Sequence, residues 1–291
     1  MKIKDMDNIL CYPGGKKYLL NHIYKILPKH DLWVDVFGGG GTVTLYKEPS
    51  NHEVFNDING DLTCLFEKIQ NNVLDFIEYS ELHSKVSSRD LFKKSLKKLN
   101  DGNLNPMQRA VLFFYVNRYS FSGNGTNFAG FSVNSVNKSK ALENKLRDPI
   151  LNISERIKNI IFENQDFEVL LKRKSLNHKD VLIFCDPPYK KGGEMYEKMS
   201  GGVEWDYSKT LRMVEILENL DSKVIITIDE DSKTLGLSSK WRSIEVDRVN
   251  MMSIPKNDGK RSHDIEYIHV NFDYENIIKH SNIKKNKFFD F

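Results

Sequence analysis

Short apolar runs recur along this chain, separated by stretches whose apolar positions fall three and four residues apart. Residues 32–37 (Leu-Trp-Val-Asp-Val-Phe), 52–56, 159–163, 181–184 (Val-Leu-Ile-Phe) and 224–228 (Val-Ile-Ile-Thr-Ile) are brief, bounded and partly β-branched, as buried strands are. Helical spacing marks Leu19, Leu20, Ile23, Ile26 and Leu27, then Leu62, Leu65, Phe66 and Ile69, a helix opening at residues 153–157, and residues 211–220. Strands alternating with helices predict an α/β fold with a Rossmann-like, mainly parallel sheet. The last two strands, residues 244–246 and 265–272, have one loop between them and are expected to pair antiparallel at the sheet edge.

From about residue 71 to 150 the alternation stops. Leu91, Phe92, Ser95, Leu96 and Leu99 share one helical face, and Lys93, Lys94, Lys97 and Lys98 share the other, a face that is either simply solvated or in contact with phosphates. A buried helix over residues 107–116 runs into a loop containing Asn117, Arg118, Ser122, Asn124, Thr126 and Asn127 with aromatics and glycines. That mixture suits a nucleic-acid-reading loop, and a hairpin loop built on Asn-Gly turns fits it equally. The expected organisation is one α/β domain from residues 1–70 and 151–291, interrupted by a helical insertion over residues 71–150.

Composition narrows this little. The 291 residues suffice for a full core, and a net charge of +3 permits a nucleic-acid partner through a local patch without requiring one. Cys11, Cys64 and Cys185 are far apart, which argues against a disulfide frame or structural zinc. No metal site is expected. The absence of a membrane-length apolar run and of a signal-peptide pattern leads to the expectation of a cytoplasmic protein.

Chemistry is concentrated at strand ends. After the first strand come Gly38, Gly39, Gly40, Gly41 and Thr42, then a helix, the layout of a nucleotide-type cofactor cradle. No Gly-Lys-Ser/Thr follows, which excludes a phosphate-gripping P-loop. Asp57 ends the second strand about 20 residues on, where a ribose-hydroxyl acceptor sits, although a helix cap would also explain it. Tyr12-Pro-Gly-Gly-Lys16-Lys17 precedes a helix and offers open N–H groups and positive charge, or a plain turn. Asp166 and Phe167 close another strand and could flank a cofactor's adenine or start a helix. The apolar run 181–184 ends in Cys185-Asp186-Pro187-Pro188-Tyr189. There the Asp186 carboxylate and the Pro187 carbonyl provide two acceptors for an exocyclic amine, and Tyr189 a flat face for a base. Residues 190–205, with glycines at both ends, form a candidate lid.

Taken in order, Tyr12-Pro-Gly-Gly-Lys16, Asp35-Val-Phe37-Gly-Gly-Gly-Gly-Thr42, Asn56-Asp57-Ile-Asn59, Asn117-Arg118, Asp186-Pro-Pro-Tyr189 and Glu266-Tyr-Ile-His-Val-Asn-Phe272 resemble the Dam-type (D12) adenine-N6 DNA methyltransferases. The resemblance implies a Rossmann-like methyltransferase sheet with a helical target-recognition insertion and S-adenosyl-L-methionine as cofactor. It places the cofactor at Tyr12, Lys16, Asp35, Phe37, Gly38 to Gly41, Thr42, Asp57, Asp166, Phe167 and Asp186. Asp186, Pro187, Pro188 and Tyr189 become the catalytic set. Double-stranded DNA becomes the partner, met by Lys17, Asn117, Arg118, Ser122, Asn124, Thr126 and Asn127, with the enzyme a monomer or weak dimer on it. The target adenine must leave the base stack.

This chain departs from the family pattern in two places. Ser122-Gly123 and Thr126 stand where relatives carry Asn-Gly followed by Arg, so the recognition sequence does not carry over. Thr227-Ile228-Asp229 replaces the Ser-Asn-x-Asp of many relatives. Competing readings are cytosine-N4 or RNA-adenine methylation, an inert methyltransferase fold serving as a DNA-binding regulator, and a nicotinamide oxidoreductase, which leaves residues 186–189 unexplained.

Overall fold

The computed structural model describes residues 9–11, 16–84, 88–120, 146–189, 204–231, 233–249 and 263–278. The chain forms two compact units: Met1–Lys17 with Gly38–Asp166 and Glu194–Glu204, and Tyr18–Phe37 with Phe167–Gly193 and Trp205–Phe291. Elements are numbered along the chain.

In the second unit, β4 (Val181–Cys185) lies between β1 (Leu32–Asp35) and β5 (Lys223–Ile228), parallel to both. Leu32 stands opposite Val181, Asp35 opposite Phe184, and Cys185 opposite Ile226. All of β4 is buried, so its unbroken apolar run is what a strand covered on both faces requires. Trp33 stacks on Phe184 with centroids 5.6 Å apart. β7 (His263–Val270) runs antiparallel to β5, and β6 (Arg242–Val249) antiparallel to β7. This unit also carries helices α1 (Leu20–Ile26), α8 (Phe167–Leu171) and α9 (Tyr207–Glu218).

The first unit pairs β2 (His52–Asn56) parallel with β3 (Ile160–Glu163) and contains α2 (Thr42–Tyr46), α3 (Gly60–Asn71), α4 (Val73–Ser84), α5 (Arg89–Asp101), α6 (Pro106–Tyr119) and α7 (Arg147–Arg156). Within the second unit the strand order is β1-β4-β5-β7-β6, parallel strands followed by an antiparallel edge, as the spacing predicted.

Differences from the sequence reading lie at element ends: β6 covers Arg242–Val249 where 244–246 was expected, and β7 His263–Val270 where 265–272 was expected. α7 starts at Arg147 rather than near 153, because Pro149 is accommodated in its first turn while Ile150 and Ile153 supply the buried stripe. α9 begins at Tyr207, where the Asp206 side chain accepts the Lys209 N–H. α6 runs past Val116 to Tyr119, since Tyr115, Val116, Asn117 and Tyr119 are all buried. Asn117 and Arg118 therefore belong to a helix, not to a loop. Its start is fixed by a capping box between Asn105 and Gln108 with Pro106 just inside. α5 buries Phe92, Ser95 and Leu99 and exposes its four lysines, as expected.

A buried ionic cluster ties the start of β2 to α7. Glu53 accepts from Lys47 Nζ and from Arg156 at 2.6 and 3.0 Å, and Arg156 also donates to the Thr44 carbonyl at 2.5 Å. Burial pushes the Glu53 carboxyl up, but the Arg156 hydrogen bond and the Lys47 charge outweigh it, and the net shift is downward. A depressed carboxyl stabilises the fold above its unfolded value and loses that contribution as pH falls through the folded value. Arg156→Met should therefore lower stability by on the order of 3 kcal/mol at neutral pH. In urea titrations the gap from wild type should close as pH drops below the ordinary glutamate value of 4.5; a gap independent of pH would remove Glu53 from the account.

Candidate active site

The glycine loop begins one residue after Phe37, which follows β1. In the first unit, Gly38 N donates to the Asn56 carbonyl at 2.7 Å, and Gly41 N returns to the Gly38 carbonyl at 2.8 Å. Three of the four glycines have an identifiable reason. A Cβ at Gly38 would lie 2.1 Å from the Phe55 ring, which is held edge-on by Phe66 and Phe162 at 5.2 and 5.5 Å. Gly39 and Gly41 adopt φ of 50° and 71°, a left-handed geometry that side chains disfavour. Thr42 opens α2 and is buried.

Asp57 closes β2. Its Oδ2 accepts from Gly39 N and its Oδ1 from Asn59 N, both at 2.8 Å. It is not the helix cap: Asn59 fills that role for α3, accepting from Asp61 N and Leu62 N. Burial raises the Asp57 carboxyl in spite of the two N–H groups. A carboxylate with four lone-pair sites can still receive hydroxyl donors. A buried acid bonded to the glycine loop, with backbone kept clear of side chains, suits a ribose-bearing cofactor.

The segment before the loop is anchored in the same unit. Asn117 Nδ2 donates to the Cys11 carbonyl at 3.0 Å, and Cys11 N donates to Asn117 Oδ1 at 2.9 Å. Arg118 reaches the Ile9 carbonyl at 3.4 Å and Cys11 Sγ at 3.8 Å. The side chains thus brace residues 9–11, immediately before Tyr12. Lys16 is buried, and the Lys17 ammonium lies 5.8 Å from the Tyr46 ring centroid.

In the second unit, β1 and β4 end side by side: Val36 N donates to the Phe184 carbonyl at 3.0 Å. Asp186 follows β4 directly. Thr227 Oγ1, on β5, donates to Asp186 Oδ1 at 2.8 Å, and the Tyr189 hydroxyl is 3.5 Å from the same oxygen. Pro187 is buried, and Asp186, Pro188 and Tyr189 are partly exposed. Cys185 is buried, and its thiol is pushed up by burial and by the Asp35 and Asp186 charges, which makes it a core residue. Asp35 is itself buried at the end of β1.

Phe37, Phe167 and Trp205 form a ring cluster, with Trp205 5.2 Å from each of the other two centroids. Trp205 and Thr227 were not singled out for the site by sequence. For Trp205 the only trace was an aromatic at the end of a glycine-bounded loop; Thr227 was marked only as the start of the segment that replaces the Ser-Asn-x-Asp of many relatives. Asp166 is partly exposed and directly precedes α8. Tyr12, Ser122, Asn124, Thr126, Asn127 and residues 190–203 of the candidate lid lie outside the described residues. Among the described residues no His, Cys, Asp or Glu group is arranged to hold a metal, and no helix is long and apolar enough to cross a membrane.

Residues 12–252 match the profile of the D12 class N6 adenine-specific DNA methyltransferases. The chain belongs to that family. It is similar to the DNA adenine methylase of Salmonella typhi, 27% identical over 263 residues that cover 87% of this chain and 90% of the relative. The DNA adenine methylase of Haemophilus influenzae is 29% identical over 62% of this chain and 63% of its own. The DNA N-6-adenine-methyltransferase of Escherichia phage P1 is 26% identical over 76% of this chain and 29% of its own. This D12 methyltransferase acts on DNA adenine with S-adenosylmethionine as methyl donor. The cytosine, RNA and nicotinamide readings fall away.

Gly38→Ala should drive Phe55 out of its place between Phe66 and Phe162, lowering stability in urea by roughly 1–3 kcal/mol and weakening S-adenosylmethionine binding in calorimetry. Adding Phe55→Leu should recover part of both; no recovery would mean that Phe55 is not the obstacle.

Proposed function

We propose that Asp186, Pro187, Pro188 and Tyr189 receive the flipped adenine and that Asp186 is the catalytic acceptor for its N6 amine. The observation that carries this reading is an acid at the carboxyl end of a fully buried central strand, held by a buried hydroxyl and flanked by a tyrosine. The adenine amine is a weak nucleophile because its lone pair is delocalised into the ring. The Asp186 carboxylate and the Pro187 carbonyl draw on its two hydrogens and localise that pair. When bound, S-adenosylmethionine supplies a methyl group made electrophilic by the adjoining sulfonium. The amine so polarised would accept that methyl group, the S–C electron pair remaining on sulfur, and would give up one proton to water. Positioning provides most of the acceleration. Tyr189 holds the base by stacking.

For the cofactor, the reading assigns the ribose hydroxyls to Asp57 and the close backbone approach to Gly38 through Gly41 and Thr42. Asp35, Phe37, Asp166 and Phe167 are its further contacts, with Tyr12 and Lys16 from the N-terminal segment and Asp186 beside the transferring methyl. Residues 71–150 serve as the target-recognition insertion, where Arg118, Ser122, Asn124, Thr126 and Asn127, with Lys17, meet DNA. Asn117 supports that surface through its hold on Cys11. The enzyme works as a monomer or weak dimer on DNA; the bacterial and phage sources of its relatives support a bacterial or phage-infected cytoplasm.

The test is methyl transfer from labelled S-adenosylmethionine to unmethylated duplex DNA, with the nucleosides identified by mass. The wild type should yield N6-methyladenine. Asp186→Ala should yield none while binding cofactor with nearly unchanged affinity; normal turnover by that variant would place the catalytic acceptor elsewhere.

A further inference from the structure

We propose that Thr227 is the positioning residue for Asp186: its hydroxyl fixes the plane of the carboxylate so that the amine of the flipped base meets it in a productive orientation. The inference rests on the reading of Asp186 given above and extends it to a residue on another strand. The terminal torsion of an aspartate is soft and roughly two-fold, so an acid following a strand does not by itself hold its oxygens in one plane. Thr227 removes that freedom. Its Oγ1 donates to Asp186 Oδ1 at 2.8 Å across 41 residues of sequence.

Thr227 is itself packed on all sides. Its side chain is fully buried, and β5 is paired on one side with β4, through Cys185 opposite Ile226, and on the other with β7, where Ile268 faces Thr227. The strand end beyond it is braced as well. His269, wholly buried, places Nε2 2.9 Å from the Glu230 carbonyl and Nδ1 2.8 Å from Ser243 Oγ. The hydroxyl thus reaches Asp186 from a rigid support. Buried Ser and Thr hydroxyls usually satisfy themselves on nearby backbone carbonyls; this one spends its donor on the anionic oxygen of the candidate catalytic acid, a charge-assisted bond stronger than a neutral one. A hydroxyl is needed for this and a methyl branch is not, which makes the idea testable.

The experiment compares wild type, Thr227→Val, Thr227→Ala, Thr227→Ser and Asp186→Ala in steady-state and single-turnover methylation of duplex DNA. Rates are taken per cofactor-binding site, so that any misfolded fraction is not counted. Thr227→Val keeps the branched shape and loses the donor, whereas Thr227→Ser keeps the donor and loses a methyl. The expected result is a fall in kcat of about ten- to hundredfold for Val, as for loss of a hydrogen bond to a charged group. The KM for DNA and for S-adenosylmethionine should stay near wild type, and Ser should restore kcat. Ala should behave like Val, and its kcat answers the same question if Val fails to fold. Wild-type kcat in both Val and Ala would overturn the proposal, and so would a Ser variant as impaired as Val, since the branched methyl and not the hydroxyl would then matter. If Asp186→Ala turned over normally, the reading of Asp186 would fail and this proposal with it; an inactive Asp186→Ala beside a fully active Thr227→Val would overturn the role of Thr227 alone.

Discussion

The parallel pairing of β1 with β4 is the constraint on which the rest depends. Parallel strands keep their carboxyl ends at the same edge, and the register that sets Asp35 opposite Phe184 and lets Val36 N reach the Phe184 carbonyl makes the two strands end together. The Asp186 segment leaves from the carboxyl end of β4, where ligands bind in an open α/β sheet. The same pairing crowds acidic groups: Asp35 and Asp186 both act on the Cys185 thiol, whose proton is thereby held more firmly. A buried, protonated cysteine between two acids is a packing residue and no nucleophile.

The acids of the two units are held in different ways. Asp57 is tied by backbone N–H groups, one of them from the glycine loop whose shape depends on it. Asp186 is tied by a side-chain hydroxyl, with a tyrosine hydroxyl nearby. Backbone donors are fixed by the fold and set a permanent geometry, which suits a cofactor cradle. A side-chain donor on a neighbouring strand fixes a torsion and leaves the segment after β4 to be shaped by its prolines.

The helices of the first unit combine packing with anchoring. α6 contributes Phe114 to an edge-on contact with Phe76 and Tyr115 to one with His83, and its last turn grips residues 9–11 through Asn117 and Arg118. One helix therefore serves the core along most of its length and the N-terminal segment at its end.

Much of this was legible in the sequence. Continuous apolar runs such as 181–184 identify doubly covered strands without any tertiary knowledge, because burial on both faces leaves no polar alternation. Glycine clusters and the Asp-Pro-Pro-Tyr segment identify strand-end chemistry, because few other roles demand those residues together. What required the tertiary structure were pairwise facts between residues distant in sequence. Gly38 proved to be glycine because of Phe55, Asn59 and not Asp57 proved to cap α3, Asn117 proved to hold Cys11, and Thr227 proved to hold Asp186. The physical reason is general. Periodicity and propensity are local and are written into neighbouring residues, whereas the partner of a buried polar atom is chosen by whichever strand or helix the fold brings against it.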